Sequence, residues 1–184
     1  MSTIPTLTSP RLILRGFTLA DAAAVQMLAG DPAVADTTLN IPHPYEDGRA
    51  EAWISTHQST FDNGEGVVWA IVTPDGTLMG GISIRLEPRF NRAEMGYWLG
   101  KPFWNQGFGS EAARAVIAHG FGALGLNRVY ATHLVRNPAS GRVMQKAGMT
   151  REGRLRQHVR KGTVYEDLEM YGILRQEWTP STTG

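Results

Sequence analysis

Apolar residues along this chain keep two different rhythms, and the change from one to the other marks the elements. Leu12 and Leu14 alternate with other residues, predicting a strand over residues 11–17. Thr18 then caps a predicted helix through residue 28, stopped by Gly30 and Pro32. Residues 31–45 carry Pro32, Pro42 and Pro44 without periodicity and are expected to be irregular; so long a loop is more often functional than idle. A second helix is predicted over residues 46–61. Strands at 67–72 and 78–86 are joined through Pro74-Asp75-Gly76, a hairpin signal. A fourth strand covers 93–99, with Gly96 inside it hinting at a bulge or a close ligand. Ala113, Val116, Ile117, Gly120, Phe121 and Leu124 recur at helical spacing ahead of Gly125. A strand at 128–135, a short helix at 138–147 and a final strand pair at 151–160 and 164–174 complete the pattern. Residues 180–184 read as a frayed tail.

This order predicts one α/β domain over 1–184, its core near 8–178. The sheet should be mixed, mostly antiparallel and six- to seven-stranded, flanked by about four helices. A chain of 184 residues can bury roughly 70% of its unfolded surface in a single core. Its net charge of +1 gives no general attraction to nucleic acid or an anionic membrane, so neither is expected as a partner. No apolar run nears the roughly 18 residues of a membrane span, and the first ten residues lack a signal-peptide core. Cysteine is absent, which rules out disulfides, thiolate metal sites and a cysteine nucleophile, and fits a reducing cytoplasm. His43, His57, His119, His133 and His158 are scattered, so no metal is expected; His119 falls opposite the apolar stripe of its helix and should be solvated.

Two helix starts carry the chemistry. One is Pro102-Phe103-Trp104-Asn105-Gln106-Gly107-Phe108-Gly109-Ser110-Glu111-Ala112 and the other is Asn137-Pro138-Ala139-Ser140, each after a strand. A helix start offers free N–H groups and a positive dipole end to a phosphate, and Gly107 and Gly109 let a bulky anion near the main chain. No Walker-type run exists. Gly107 to Ala112 fits the relaxed dinucleotide pattern, but its first glycine lies well beyond the preceding strand and residues 129–134 hold no acid for a ribose. A nicotinamide-dependent oxidoreductase is therefore a remote alternative.

With Glu94-Met95-Gly96-Tyr97-Trp98-Leu99, the Trp104–Ala112 run, Asn137-Pro138-Ala139-Ser140 and Lys146-Ala147-Gly148-Met149 in that order, the chain resembles the GCN5-related N-acetyltransferase superfamily. Within it, the opening Thr8-Ser9-Pro10-Arg11-Leu12-Ile13-Leu14-Arg15 is similar to the ribosomal-protein-alanine acetyltransferase group. Trp104 stands where the wider superfamily has Gln or Arg, as in that narrower group. The resemblance implies acetyl-CoA as donor, with the backbone of Gln106, Gly107, Phe108, Gly109 and Ser110 on its pyrophosphate. Tyr97, Trp98 and Leu99 would pair with the pantetheine arm, the N–H of Trp98 would polarise the acetyl carbonyl, and Asn137 would hold a pantetheine amide. It implies an amine acceptor, either a protein N-terminus or a small molecule, with direct transfer in a ternary complex by a monomer or homodimer. A non-catalytic CoA-binding module is the alternative.

Acetyl transfer needs a neutral amine, a stabilised oxyanion and a proton for the thiolate. An α-amine, with a reference pKa near 8, is about one-tenth neutral at pH 7, so a modest base suffices. Glu94 is the expected base and Ser140 the expected proton donor. Residues 31–45 and the last hairpin, with Tyr165, Glu166 and Asp167, are the candidate acceptor walls. Arg154, Arg156, Arg160 and Lys161 should form a solvated basic face.

Overall fold

The structure, a computed structural model, describes residues 3–179; the predicted tail at 180–184 lies outside them. One sheet runs β1 (Leu7–Thr8), β2 (Ile13–Gly16), β3 (Gly66–Val72), β4 (Leu78–Glu87), β5 (Arg92–Leu99), β6 (Arg128–Leu134), β8 (Val164–Leu174), β7 (Thr150–Lys161) in spatial order. Every neighbouring pair is antiparallel except β5 and β6, which are parallel. The eighth strand, beyond the expected six or seven, is the two-residue β1, too short for any periodicity to reveal.

Six α-helices are described: α1 (Ala22–Ala29), α2 (Pro32–Thr37), α3 (Arg49–Ser55), α4 (His57–Asp62), α5 (Phe108–Gly122) and α6 (Pro138–Lys146). Two of these depart from the expected four. Pro32, read as a stop for α1, opens α2 instead, because proline suits the first helical position and Asp31 Oδ1 caps the N–H of Ala33 at 2.8 Å. The helix expected over 46–61 breaks at Thr56. There the hydroxyls of Ser55 and Thr56 donate to the carbonyls of Ala52 and Trp53, both at 2.7 Å, competing with the helix ladder.

Alternation sends the strand side chains into two apolar layers. Leu12, Leu14, Trp69, Ile71, Ile82, Ile84 and Met95 pack under α5 and α6, on Val116, Ile117, Phe121 and Met144. Ala70, Val72 and Leu78 pack under α1 and α3, on Val25, Leu28 and Ile54. His119 contributes to the first layer: it is half-buried edge-on to Trp69, ring centroids 5.5 Å apart, where solvation was expected.

What positions a site is the way β5 leaves β6. The two pair only over Arg92, Ala93 and Glu94 with Arg128, Val129 and Tyr130. Beyond Glu94 the strands separate, while β5 stays paired to β4 as far as Leu99 and β6 stays paired to β8 as far as Leu134. Gly96 sits in regular register opposite Ser83, so it marks no bulge.

Candidate active site

A cleft of about 1130 Å³ opens at the point where β5 and β6 part. Of the residues singled out in the sequence, it gathers Glu94, Tyr97, Trp98, Leu99, Gly107, Phe108, Gly109, Ser110, Asn137 and Ser140. Gln106 stays outside, its side chain donating to the carbonyl of Pro102 at 2.8 Å. None of Tyr165, Glu166 and Asp167 lines the cleft; Glu166 pairs with Arg136 at 2.8 Å and Asp167 with Arg154 at 2.6 Å.

The glycine loop is built to expose N–H groups. Gly107 takes φ 83°, a left-handed backbone that turns the chain into α5 and that a side chain would strain. Glu111 is the first residue to bond back, to the carbonyl of Gly107 at 3.1 Å. The N–H groups of Phe108, Gly109 and Ser110 therefore have no acceptor inside the helix. At Gly109 a Cβ would meet Val143 and Leu99 only at ordinary contact distances of 3.4–3.5 Å, so the packing of α5 on α6 and β5 does not itself demand glycine there. Trp104 fixes the loop to the sheet by donating its indole N–H to Leu99 O at 2.8 Å.

Glu111, buried at the start of α5, accepts from Ser9 Oγ at 2.7 Å, Arg11 N at 2.8 Å and Arg11 Nε at 2.7 Å. Burial alone would raise its pKa, but these donors hold it below the usual carboxylate range. The same Arg11 reaches Gln106 O at 3.1 Å and lies over the Phe108 ring. The segment before β2 thus straps the loop in place, a long-range link that no local motif signals.

Main-chain direction on β5 follows from its pairing with β4. Gly100 N–H donates to Met79 O at 2.8 Å, and antiparallel pairs alternate, so Trp98 turns its N–H and C=O toward β4. The N–H groups of Tyr97 and Leu99 point the other way, into the splay. The expected use of Trp98 N–H on an acetyl carbonyl therefore does not match the strand's register.

Two hydroxyls meet at the base of the cleft. Tyr97 Oη lies 2.7 Å from Ser140 Oγ and donates or accepts there, and it is 2.9 Å from Ser140 O. Burial pushes the Tyr97 phenol well above its ordinary pKa, against the opposing effect of its Ser140 hydrogen bond. Glu94 lies on the same strand and is paired with the more exposed Arg85 across β4. Asn137 begins α6 but caps nothing with its side chain; its Nδ2 donates to Thr37 O at 3.2 Å, at the end of α2.

Some residues of the site were not legible in the sequence. Arg142 and Lys146, one helical turn apart on α6, add exposed positive charge to the cleft, and that spacing was the available signal. Lys161 had none. Expected in a solvated basic face, it instead reaches from the β7–β8 turn to the carbonyls of Ala35, Asp36 and Thr38 that close α2. Arg136 reinforces it by pairing with Asp36 at 2.9 Å. Arg154, Arg156 and Arg160 are all exposed, Arg154 bonding to Asp167 and Arg160 to Gly162 O at the surface.

Residues 11–150 match the family model described as "Acetyltransferase (GNAT) domain". The chain belongs to the GNAT acetyltransferase family. Its class is therefore acyltransferase, more narrowly N-acetyltransferase. The uncharacterized N-acetyltransferase YoaA of Bacillus subtilis (strain 168) is 35% identical over 93% of this chain and 97% of that protein. A GNAT-family acetyltransferase of Bacillus anthracis superposes with a TM-score of 0.84 at 25% identity, covering 94% of this chain and 99% of the other. The fold is shared too with RimL, a ribosomal L7/L12 alpha-N-protein acetyltransferase solved in complex with coenzyme A. Its TM-score is 0.83 at 24% identity, over 94% of this chain and 98% of that one. Among the described residues no helix is long and apolar enough to cross a membrane, and no cluster of His, Asp and Glu could hold a metal.

Proposed function

We propose that this GNAT-family protein binds acetyl-CoA in the cleft and transfers the acetyl group directly to a primary amine, the α-amine of a peptide N-terminus. The observation that carries the proposal is the half-buried Tyr97–Ser140 hydroxyl pair, which lines the cleft with the glycine loop and the unpaired edge of β5. A thioester lying along that edge has its sulfur beside a proton source. The free N–H groups of Phe108, Gly109 and Ser110, with the positive end of the α5 dipole, suit the pyrophosphate. Arg142 and Lys146 add charge of the right sign. Tyr97 and Leu99 N–H groups take the place of Trp98 as donors to the pantetheine arm and the acetyl carbonyl. Gln106 acts through its backbone, whose carbonyl is held by Arg11.

The amine attacks the carbonyl carbon, the C–S bond breaks with its electrons on sulfur, and Ser140 Oγ, paired with Tyr97, protonates the thiolate. Glu94 takes the proton lost by the amine, directly or through water, after exchanging its contact with Arg85. An α-amine asks little of that base, since about one-tenth of it is neutral at pH 7. The alpha-N-protein acetyltransferase that shares this fold supports the choice of acceptor. Asn137, held to Thr37, joins the donor side of the cleft to the wall formed by residues 31–45.

The test mixes the protein and acetyl-CoA with a serine-initiated peptide, an N-blocked peptide containing lysine, and spermidine, following released thiol. The unblocked peptide should react at least roughly tenfold faster than the others, as the pKa gap between α- and ε-amines implies. Equal rates for the blocked peptide would overturn the α-amine acceptor. Coenzyme A binding without turnover of any amine would favour a non-catalytic binding module. Ser140→Ala should lower kcat roughly a hundredfold with little change in acetyl-CoA affinity; an unchanged kcat removes Ser140 from the chemistry.

A further inference from the structure

A glycine in mid-strand weakens the strand, and nothing in the packing of β5 calls for the one at Gly96. Its φ is not positive, and a Cβ there would meet only Ser83 Oγ, at 3.6 Å. The residue is exposed. Register supplies its context. Gly96 stands opposite Ser83, Glu94 opposite Arg85 and Trp98 opposite Gly81, and alternation puts all six on one face of the sheet.

That face is turned away from α5. The alternate residues Ile82, Ile84 and Met95 pack under α5 and α6, whereas Trp98 packs on the layer of α1 and α3. The glycine loop and α6 therefore approach the splay from one side, and Glu94, Gly96 and Trp98 face the other. The result is a track across β4 and β5. At one end the Trp98 indole leans over Gly81, where a Cβ would stand 2.9 Å from its Nε1. In the middle Ser83 and Gly96 leave the sheet bare, and at the other end Arg85 pairs with Glu94. Charge along the cleft is lopsided. Glu94 is the one carboxylate among its described lining residues, against Arg49, Arg85, Arg142 and Lys146. Arg142 and Lys146 stand on α6, where the donor's phosphates match them. Arg49, which acts electrostatically on Tyr45, and Arg85 lie on the acceptor side and outnumber Glu94.

We propose that the acceptor lies along this track with its backbone over Gly96, and that Arg85 selects acceptors carrying an acidic side chain within two residues of the reacting amine. Such selection rests on the acetyl-transfer function proposed above and narrows its acceptor to acidic N-termini. Diagonal neighbours on one sheet face stand roughly 7–8 Å apart, close to the span of two extended residues. An amine over Gly96 thus sets the second residue of its peptide beside Arg85. The acidic group takes Arg85 from Glu94, which frees that carboxylate to accept the proton the amine loses. It also supplies the negative charge that the surplus guanidinium lacks. A polycation such as spermidine meets two like charges instead and is a poor acceptor. The Arg85 side chain is 69% exposed, so the selection is sensitive to salt.

Thiol release from acetyl-CoA with C-terminally amidated peptides beginning Ser-Asp, Ser-Ala and Ser-Lys tests the selection. kcat/KM should fall in that order, about fivefold at each step, and the differences should shrink in about 0.5 M salt. Arg85→Gln should abolish the ranking and Arg85→Glu should invert it, with coenzyme A affinity by calorimetry within about twofold of wild type in both. Three equal rates in the wild type, or a ranking that survives Arg85→Gln, overturn the assignment. Gly96→Val suits a strand, yet it should raise the peptide KM at least roughly tenfold by filling the track while coenzyme A affinity stays unchanged. An unaltered peptide KM removes the acceptor from the track. Binding of the N-acetylated Ser-Asp peptide to the coenzyme A complex reads the track without turnover. If no peptide is acetylated but that product binds and Arg85→Gln weakens it, the transfer function falls and the track stands. Turnover without the acidic preference leaves the transfer function standing and sinks the selection by Arg85.

Discussion

His57 shows how a single buried residue sets the sign of a pH effect. It is 3% exposed, wedged between Phe17 and Trp53, with neither ring nitrogen hydrogen-bonded among the described residues. Burial pushes its pKa down to about 4 from 6.5. Between those values the unfolded chain binds a proton that the native protein does not, so stability is full above pH 6.5 and declines as pH falls toward 4. From this group alone, lowering the pH from 7.5 to 5 should cost about 2 kcal/mol. Urea unfolding at the two pH values measures that loss, and His57→Phe should remove most of it. An acid limb equally steep in the variant would mean that other groups, such as the half-buried His119, govern it.

Elements here are held by ties from distant parts of the chain. α2 is six residues long, too short to stand alone in water, and its last carbonyls receive the Lys161 ammonium from the far hairpin. A cation at a helix C-terminus, hydrogen-bonded to its carbonyls, contributes roughly 1–2 kcal/mol. Lys161→Met should therefore speed amide exchange in α2 roughly tenfold by easing its local opening. Coenzyme A affinity should stay within about twofold, because the glycine loop and β5 do not depend on this tie. Unaltered exchange in α2 would show that Arg136 and Asn137 suffice to hold the wall. Because that wall lines the cleft through Thr37, Thr38 and Leu39, the lysine orders the acceptor side at a distance.

At the scale of the whole molecule, the parallel β5–β6 pair, which among the described residues stands alone in an otherwise antiparallel sheet, makes the cleft. β5 and β6 share only three register pairs before diverging, which leaves main-chain donors facing a cavity. A ligand seated there binds only the folded state. Coenzyme A at one hundred times its Kd should add about 2.7 kcal/mol, raising Tm by roughly 5–10 °C for a domain of this size. Gly107→Phe is the matched control. It should lower the unliganded Tm by a few degrees through strain at positive φ and abolish most of the coenzyme A shift. An intact shift in that variant would place the donor elsewhere.

The sequence by itself determined most elements, because period-2 and period-3.6 patterns and helix caps are local. β3 to β8, α5 and α6 appear within a residue or two of where alternation, Gly107 and Asn137-Pro138 place them. Local motifs also pointed to a phosphate-binding helix start and to the family. The split of β5 from β6, the register that turns Trp98 N–H away and Tyr97 N–H inward, and the meeting of Tyr97 with Ser140 were decided only in three dimensions. So were the Arg11–Glu111 strap and the Lys161 tie to α2. These features pair residues tens of positions apart, and a one-dimensional pattern records which face a side chain takes but not which distant partner lies across from it.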